Sequence, residues 1–406
     1  MDSLTQIVLG AAVGEVCLGK KIGNRAMLWG GIGGTIPDLD VIGNLFLGEA
    51  EALAFHRGIS HSITFAVFGA VLFGWLIDKL YNTNKGRYWT ETVLGIGFYC
   101  FGLLFVTGIL IAVGPGMKFL TIPLMVAITA FGIWRIRKDL FIRRDNYERP
   151  SLRAWQIMMF WALFTHPILD SFTAYGTQLF APFTDYRVAF NNISVADPIY
   201  TSLFLIGLIT TSFHARQSNS RRFWNYLGIA LSSAYMLFTV YNKLRVDKVV
   251  EATIVAENLD SKKYMTSPSI LNNVLWTGTT ETDSFFYQGQ YSLLDKEKAF
   301  KLSKVPKMHH LIADAKPDDK TINILKWFSK EFYTVLERSD GRLQFNDMRY
   351  GTFRGDTYGE NDFIFRFILE KGPDGYYKML DAKGGPPKDM DQGAMATELW
   401  NRIKGI

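Results

Sequence analysis

Four short stretches in the first half of the chain combine residue types that can hold a metal ion. They are Pro37-Asp38-Leu39-Asp40, His56-Arg57-Gly58-Ile59-Ser60-His61-Ser62, Thr165-His166-Pro167-Ile168-Leu169-Asp170 and Asp197-Pro198. Three imidazoles with several carboxylates form an N/O donor set suited to a divalent metal such as zinc. His166 and Asp170 are four apart and share a face if their segment is helical. His56 and His61 flank Gly58, which permits a turn before a helix settles. Asp38 and Asp40 are two apart, so in an extended or turn backbone only one need point inward. Zinc takes three or four protein ligands. Asp38, Asp40, His56, His61, His166 and Asp170 are therefore more donors than one ion needs. Either some of them orient the ligands through hydrogen bonds, or two ions bind. Taken singly, an Asp at a helix end is more often a cap, and a His near an interface is as often structural. Seven such residues in apolar surroundings favour an ion-coordinating centre, and an ion or proton pathway is the main rival.

The elements that must position these residues are apolar. Ile59–Ile77, Val93–Val113, Phe119–Trp134 and Phe223–Val240 approach or reach the roughly 20 residues that span a bilayer. Ser151–Thr165 and Ile199–Phe213 are shorter and nearly uncharged. Leu4–Leu18 and Ala26–Ile36 are shorter again and rich in Gly, with small-xxx-small pairs at Gly10/Gly14 and Gly30/Gly34 that allow close helix packing. The expected fold is a multipass α-helical membrane protein of about eight segments. Basic residues fall in alternate loops: Lys20, Lys21 and Arg25; Lys79, Lys85 and Arg87; Arg135 to Arg153; Arg216, Arg221 and Arg222. Such loops stay in the cytoplasm. The four polar stretches then share the opposite, extracytoplasmic end of their segments. Met1–Leu18 lacks the basic start of a cleavable signal peptide.

Charge divides the chain near Lys243. Residues 1–242 carry 19 Lys+Arg and 14 Asp+Glu, whereas the last 164 residues carry 25 and 24. The net charge of +6 therefore belongs mainly to the apolar part, where it marks topology rather than nucleic-acid binding. Two cysteines, both in apolar runs, exclude a disulfide framework or a cysteine-cluster metal site. The expected domains are a helical membrane domain, 1–242, and a soluble extramembrane α+β domain, 243–406. In the latter, Arg245–Glu257 continues the last helix, and Val274–Thr280 and Ser284–Ser292 read as paired strands. Thr321–Phe328 reads as a short helix, with further strands at Phe332–Glu337, Leu343–Phe345 and Phe363–Leu369. Phosphate-loop and nucleophile-elbow patterns are absent from it. His309 and His310 lack ligand spacing and read as a surface pair, and His214 lies on the basic side.

The start MDSLTQIVLGAAVGE, then IPDLD, HRGISHS, THPILDSFTAYGTQLFAPF and ADPIY, resemble in order and spacing the YdjM family of membrane-bound, metal-dependent hydrolases. The resemblance covers roughly residues 1–240. It implies metal-site roles for Asp38, Asp40, His56, His61, His166 and Asp170, with Asp197 as an added ligand or a supporting group. The family start commonly reads M-D-x-x-T-H, whereas this chain has Gln6. A site lacking that His would be weaker, hold one metal rather than two, or recruit Asp2 or Glu15. SPSILNNVLWTGTTETDSFFYQGQYSLLD and RLQFNDMRYG resemble the tail of a long subgroup.

The leading functional expectation is metal-assisted hydrolysis. The metal acidifies a water, Asp40 or Asp197 takes its proton, and Arg57 or Arg187 holds a phosphate or carboxylate of the substrate. A site at the bilayer surface suits a phospholipid or another lipid-linked phosphate ester. Two alternatives stay open: an ion or solute transporter using the same polar cluster, and a non-enzymatic scaffold displaying the C-terminal domain.

Overall fold

The protein is described by a computed structural model covering residues 1–94, 148–353, 358–384 and 392–406, with isolated positions between 96 and 132. The expected spans Val93–Val113 and Phe119–Trp134, and most of the basic stretch 135–153, lie outside the described residues. Six helices of the N-terminal half carry the site. They are α1 (Ser3–Ile22), α2 (Asn24–Thr35), α3 (Glu49–Phe55), α4 (Ile63–Leu80), α5 (Leu152–Asp170) and α6 (Pro198–Phe213). A 3-10 segment, Ile36–Leu45, follows α2, and a shorter one, Ile59–His61, precedes α4. Pro37 opens the first of these, since proline is tolerated in a first turn where its missing N–H costs nothing.

Helices α1 and α2 touch backbone to backbone. A Cβ on Gly14 would stand 2.1 Å from the Ala26 carbonyl oxygen, and one on Gly30 would stand 2.2 Å from that of Gly10. Gly34 is held as tightly, 2.5 Å from the Gln6 carbonyl oxygen. The small-xxx-small pairs therefore face each other and bring both chains to the same end of the bundle.

Helix α7 (Asn219–Ala256) is 38 residues long and runs through the expected domain boundary without a break. Its first half is inverted relative to a water-soluble helix. Asn225, Gly228, Ser232, Thr239 and Asn242 are buried, whereas Phe223, Leu237, Phe238 and Tyr241 are exposed. Beyond Lys243 the pattern turns over: Val246 and Val250 pack with Trp276, Tyr291 and Phe300, while Lys248 and Glu251 face outward. Among the described residues one helix, α4, is both long and apolar enough to cross a membrane, and α6 is a shorter apolar helix.

The C-terminal part contains two four-stranded antiparallel sheets. The first joins β1 (Lys263–Pro268), β2 (Leu275–Glu281), β3 (Phe285–Ser292) and β4 (Ser303–Pro306) in chain order. The second joins β5 (Tyr333–Glu337), β6 (Leu343–Asp347), β7 (Phe365–Lys371) and β8 (Tyr377–Gly384). Between them lies α8 (Lys320–Ser329), and α9 (Gln392–Ile403) ends the chain. Phe328, Leu325 and Ile322 of α8 pack on Phe345 and Phe367 of the second sheet and on Ala50 of α3. The domain is thus seated on α3 and the loop after α5. His309 is not a free surface residue: its ring stacks on Tyr333 at 4.0 Å and its Nε2 meets the Tyr333 carbonyl oxygen at 2.9 Å.

Because the Gly14 position has no room for a methyl group, Gly14→Ala is expected to separate α1 from α2 at a cost of about 1–3 kcal/mol. Thermal unfolding in detergent should show a lowered midpoint, and an unchanged midpoint would contradict the close approach.

Candidate metal centre

Four donor atoms converge where α2, the turn before α4 and the end of α5 meet. They are Asp38 Oδ1, His61 Nε2, His166 Nε2 and Asp170 Oδ2, and they lie within 4.8 Å of one another. The two imidazole nitrogens are 3.1 Å apart. Asp38 Oδ1 is 3.4 Å from each of them. Asp170 Oδ2 is 3.5 Å from His61 Nε2 and 3.6 Å from His166 Nε2. A tetrahedral ion with bonds of about 2.0–2.1 Å separates its donors by about 3.3–3.4 Å. Five of the six separations, 3.1–3.6 Å, match those around one metal with two nitrogen and two oxygen ligands, and the two carboxylate oxygens lie within 4.8 Å of each other. One of the four donor atoms, Asp170 Oδ2, is buried without a hydrogen-bond partner while it faces both imidazole nitrogens, as a metal ligand would.

The ring orientations are fixed from behind. His166 Nδ1 lies 2.6 Å from the Gly34 carbonyl oxygen, so it carries the proton and leaves Nε2 as the lone pair. This contact depends on the glycine-lined approach of α2. His61 Nδ1 meets Asp40 Oδ2 at 3.3 Å and Ser60 Oγ at 3.0 Å, with the same consequence. His166 and Asp170 share the inner face of α5, one turn apart, and Pro167 sits within that last turn.

Asp40 and His56, expected among the ligands, stand outside the four-donor group. Asp40 faces the far nitrogen of His61 and cannot also reach the Nε2 side. Its oxygens accept from the Arg57 backbone N–H at 3.0 Å and the Ser60 hydroxyl at 2.9 Å, and lie 2.8 Å from His56 Nδ1. Asp197 is a helix cap: Oδ1 accepts from the Ile199 and Tyr200 amides and Oδ2 from the Tyr235 hydroxyl. Arg57, with a left-handed φ of 59°, places its Nε 3.1 Å from Asp170 Oδ2 and donates from Nη1 to Thr173. Its charge thus stands against a carboxylate of the donor group.

Gln6 fills the position where histidine was expected. Its Nε2 donates to Asp170 Oδ1 at 2.9 Å and to the His166 carbonyl oxygen at 3.3 Å. The Met1 amino group also donates to Asp170 Oδ1. Neither Asp2 nor Glu15 is recruited. Asp2 caps α1 through Thr5, and Glu15 forms a buried fork with Arg221 at 2.7 and 2.5 Å. The geometry therefore matches one metal. The motif signalled Ser60 by its place in HRGISHS. It gave no signal for the Gly34 carbonyl, because a backbone acceptor has no residue type.

The model of the family described as YdjM inner membrane protein matches residues 1–112 and 119–246. The chain belongs to the YdjM family. The match covers every residue of the four-donor group and ends within α7. Comparison with curated proteins and with solved structures gives no match for any part of the chain. The YdjM assignment places the chain among inner membrane proteins.

Elemental analysis of the purified protein should find metal in the wild type and loss of it in His61→Ala and His166→Ala. Asp40→Asn should weaken metal affinity by about 10–100-fold, the usual cost of removing a hydrogen-bond partner behind a ligand. Asp197→Asn should leave metal content unchanged, and full loading of His166→Ala would remove that residue from the ligand set.

Proposed function

We propose that this YdjM protein is a metal-dependent hydrolase of the membrane surface, with zinc as its metal and an amphiphilic substrate such as a phospholipid or another lipid-linked phosphate ester. The observation that carries the reading is the convergence of two imidazoles and two carboxylates within 4.8 Å of one another, inside a protein of the inner membrane. Asp38, His61, His166 and Asp170 would hold a divalent metal, which would supply Lewis-acid chemistry and a more acidic bound water. The chain's own groups supply the rest. Asp40 holds the Nδ1 proton of His56, leaving Nε2 of a ring that is 29% exposed to take or give a proton. Asp38 is the most exposed donor at 18%, against 0% for the other three, so solvent and substrate approach from its side.

The surroundings of the site support a lipid setting. Phe46 of the loop after the 3-10 segment is 82% exposed and Phe183 of the loop after α5 is 84% exposed. Leu45, Ile42 and Phe190 add to this apolar rim. Helices α4, α6 and α7 turn apolar side chains outward and bury Gly, Ser, Thr and Asn, as expected where the solvent is hydrocarbon. The reading includes a multipass bundle with the site and the C-terminal domain on the extracytoplasmic face, supported by the basic residues at the opposite helix ends. A second reading is a closed structural metal site, favoured by the count of four protein donors where catalytic zinc usually keeps three.

Metal-loaded protein should hydrolyse a lipid phosphate ester and lose this activity to a chelator. His56→Ala should retain its metal and turn over about 10²–10⁴-fold more slowly, the contribution of a general acid–base group. Metal-loaded wild type without turnover on such esters would leave the structural reading in place.

Topology has its own test. In a background without Cys17 and Cys100, Lys298→Cys should react with an impermeant thiol reagent in intact cells and Asn219→Cys should not. Equal labelling would overturn the orientation.

A further inference from the structure

Above the metal centre, at the junction with the C-terminal domain, aromatic rings alternate with guanidinium groups. The Tyr175 ring lies 5.5 Å from the His56 ring and 5.1 Å from that of Phe328. The Arg57 and Arg187 guanidinium carbons lie 4.6 Å and 4.5 Å from the Tyr175 centroid. Arg187 and Arg349 stand in turn 4.6 Å and 4.9 Å from the Phe328 centroid. Two of these cations are balanced. Arg57 faces Asp170, and Arg349 forms a fork with Asp347 at 2.6 to 3.1 Å.

Arg187 is not balanced. It is 3% exposed, and no carboxylate among the described residues pairs with it. Its Nη2 donates to the Tyr175 carbonyl oxygen at 2.5 Å, while Nε and Nη1 are buried without an acceptor. The faces of Tyr175, Trp327 and Phe328 offset its charge. They are poor acceptors for its N–H groups. Lys330 adds a second cation without an ion pair among the described residues, and the Tyr350 hydroxyl is buried without a partner. Burial, with the Arg349 and Arg187 charges, pushes the Lys330 ammonium down to about 8, and burial with Arg349 nearby lowers Arg187 to about 10. A cleft of about 380 Å³ between α3, the 178–185 loop and α8 reaches Trp327, the indole that covers Arg187.

A buried guanidinium with unused donors, beside a second cation, is costly unless an anion completes it. Guanidinium geometry matches a tetrahedral oxyanion, to which it donates charge-assisted hydrogen bonds. We propose that Arg187, with Lys330 and Tyr350 of the C-terminal domain, forms a phosphate-binding site that neither domain completes alone. The inference deepens the hydrolase reading by giving the phosphate group of its substrate a place, and its test needs no turnover.

The experiment titrates inorganic phosphate into full-length protein in detergent, stripped of metal by chelation and held at constant ionic strength. Wild type should bind phosphate saturably. Arg187→Gln should weaken binding by about tenfold or more, as for the loss of a charge-assisted hydrogen bond, and Arg153→Gln should not. Thermal unfolding without phosphate separates a binding role from a structural one. If Arg187 is kept unpaired for a ligand, Arg187→Gln should unfold at an equal or higher temperature than wild type; a lower midpoint with unchanged binding overturns the proposal. Lys330→Gln provides a second, milder variant and should weaken binding several-fold, as for the loss of one partly buried charge that assists the guanidinium. Displacement of bound phosphate by a short-chain phosphatidic acid would assign a lipid headgroup as the source, and failure to displace would assign a water-soluble phosphate. No saturable binding by wild type, or equal binding by Arg187→Gln and Lys330→Gln, overturns the site.

Discussion

Asp170 sets the terms for its surroundings. Its carboxylate is fully buried, and an isolated charge in such a place is too costly to persist without partners. Five groups answer it. The Met1 amine and Gln6 Nε2 donate to one oxygen, while Arg57, His61 and His166 surround the other. Those partners come from α1 and the residue ahead of its cap, from the turn before α4 and from α5 itself. Satisfying one carboxylate therefore ties together segments that are far apart in sequence. The oxygen facing Arg57 and the imidazoles still lacks a hydrogen-bond partner, and this is the side on which Asp38 closes the donor set.

That convergence needs helices that approach without side chains between them. Glycine supplies the approach: Gly10, Gly14, Gly30 and Gly34 let α1 and α2 touch, and the same contact brings the Gly34 carbonyl against His166 Nδ1. A packing device thus becomes a tautomer device. Asp40 plays the corresponding part for His61, and it is free to do so because the Arg57 and Ser60 donors hold it behind the ring.

The C-terminal domain shares the construction of the same end of the bundle. Arg349 Nη1 donates to the Ala174 carbonyl oxygen, Asn273 to that of Asn192, and Trp327 to that of Asp185. The acceptors belong to the loop between α5 and α6, which also carries Tyr175 and Arg187. Its backbone hydrogen bonds are completed by the domain that covers it, so the loop order and the domain seating depend on each other.

The two parts of α7, the pairing of β2 with β3 and the places of β5, β6, β7 and α8 were legible in the sequence, because hydrophobic periodicity and the charge break at Lys243 are local properties; β1, β4, β8, α3 and α9 were not. The strands expected at 274–280 and 284–292 pair as β2 and β3, and the expected helix at 321–328 is α8. The donor types were legible too, since ionisable residues in apolar surroundings are conspicuous whatever the fold. The division of labour among them was not. Asp38 and Asp40 have the same chemistry two residues apart, and only the turn of the 3-10 segment puts one oxygen on the Nε2 side of His61 and the other behind its ring. Asp197 reads as a candidate until its oxygens are seen to cap α6. Arg187 looks like any other cation until folding surrounds it with three aromatic rings and leaves it without a carboxylate among the described residues. Sequence determined which chemistry was present, because composition and periodicity are written residue by residue. Tertiary structure decided which atoms meet, because contact between distant segments depends on backbone approach, and that depends on the whole bundle.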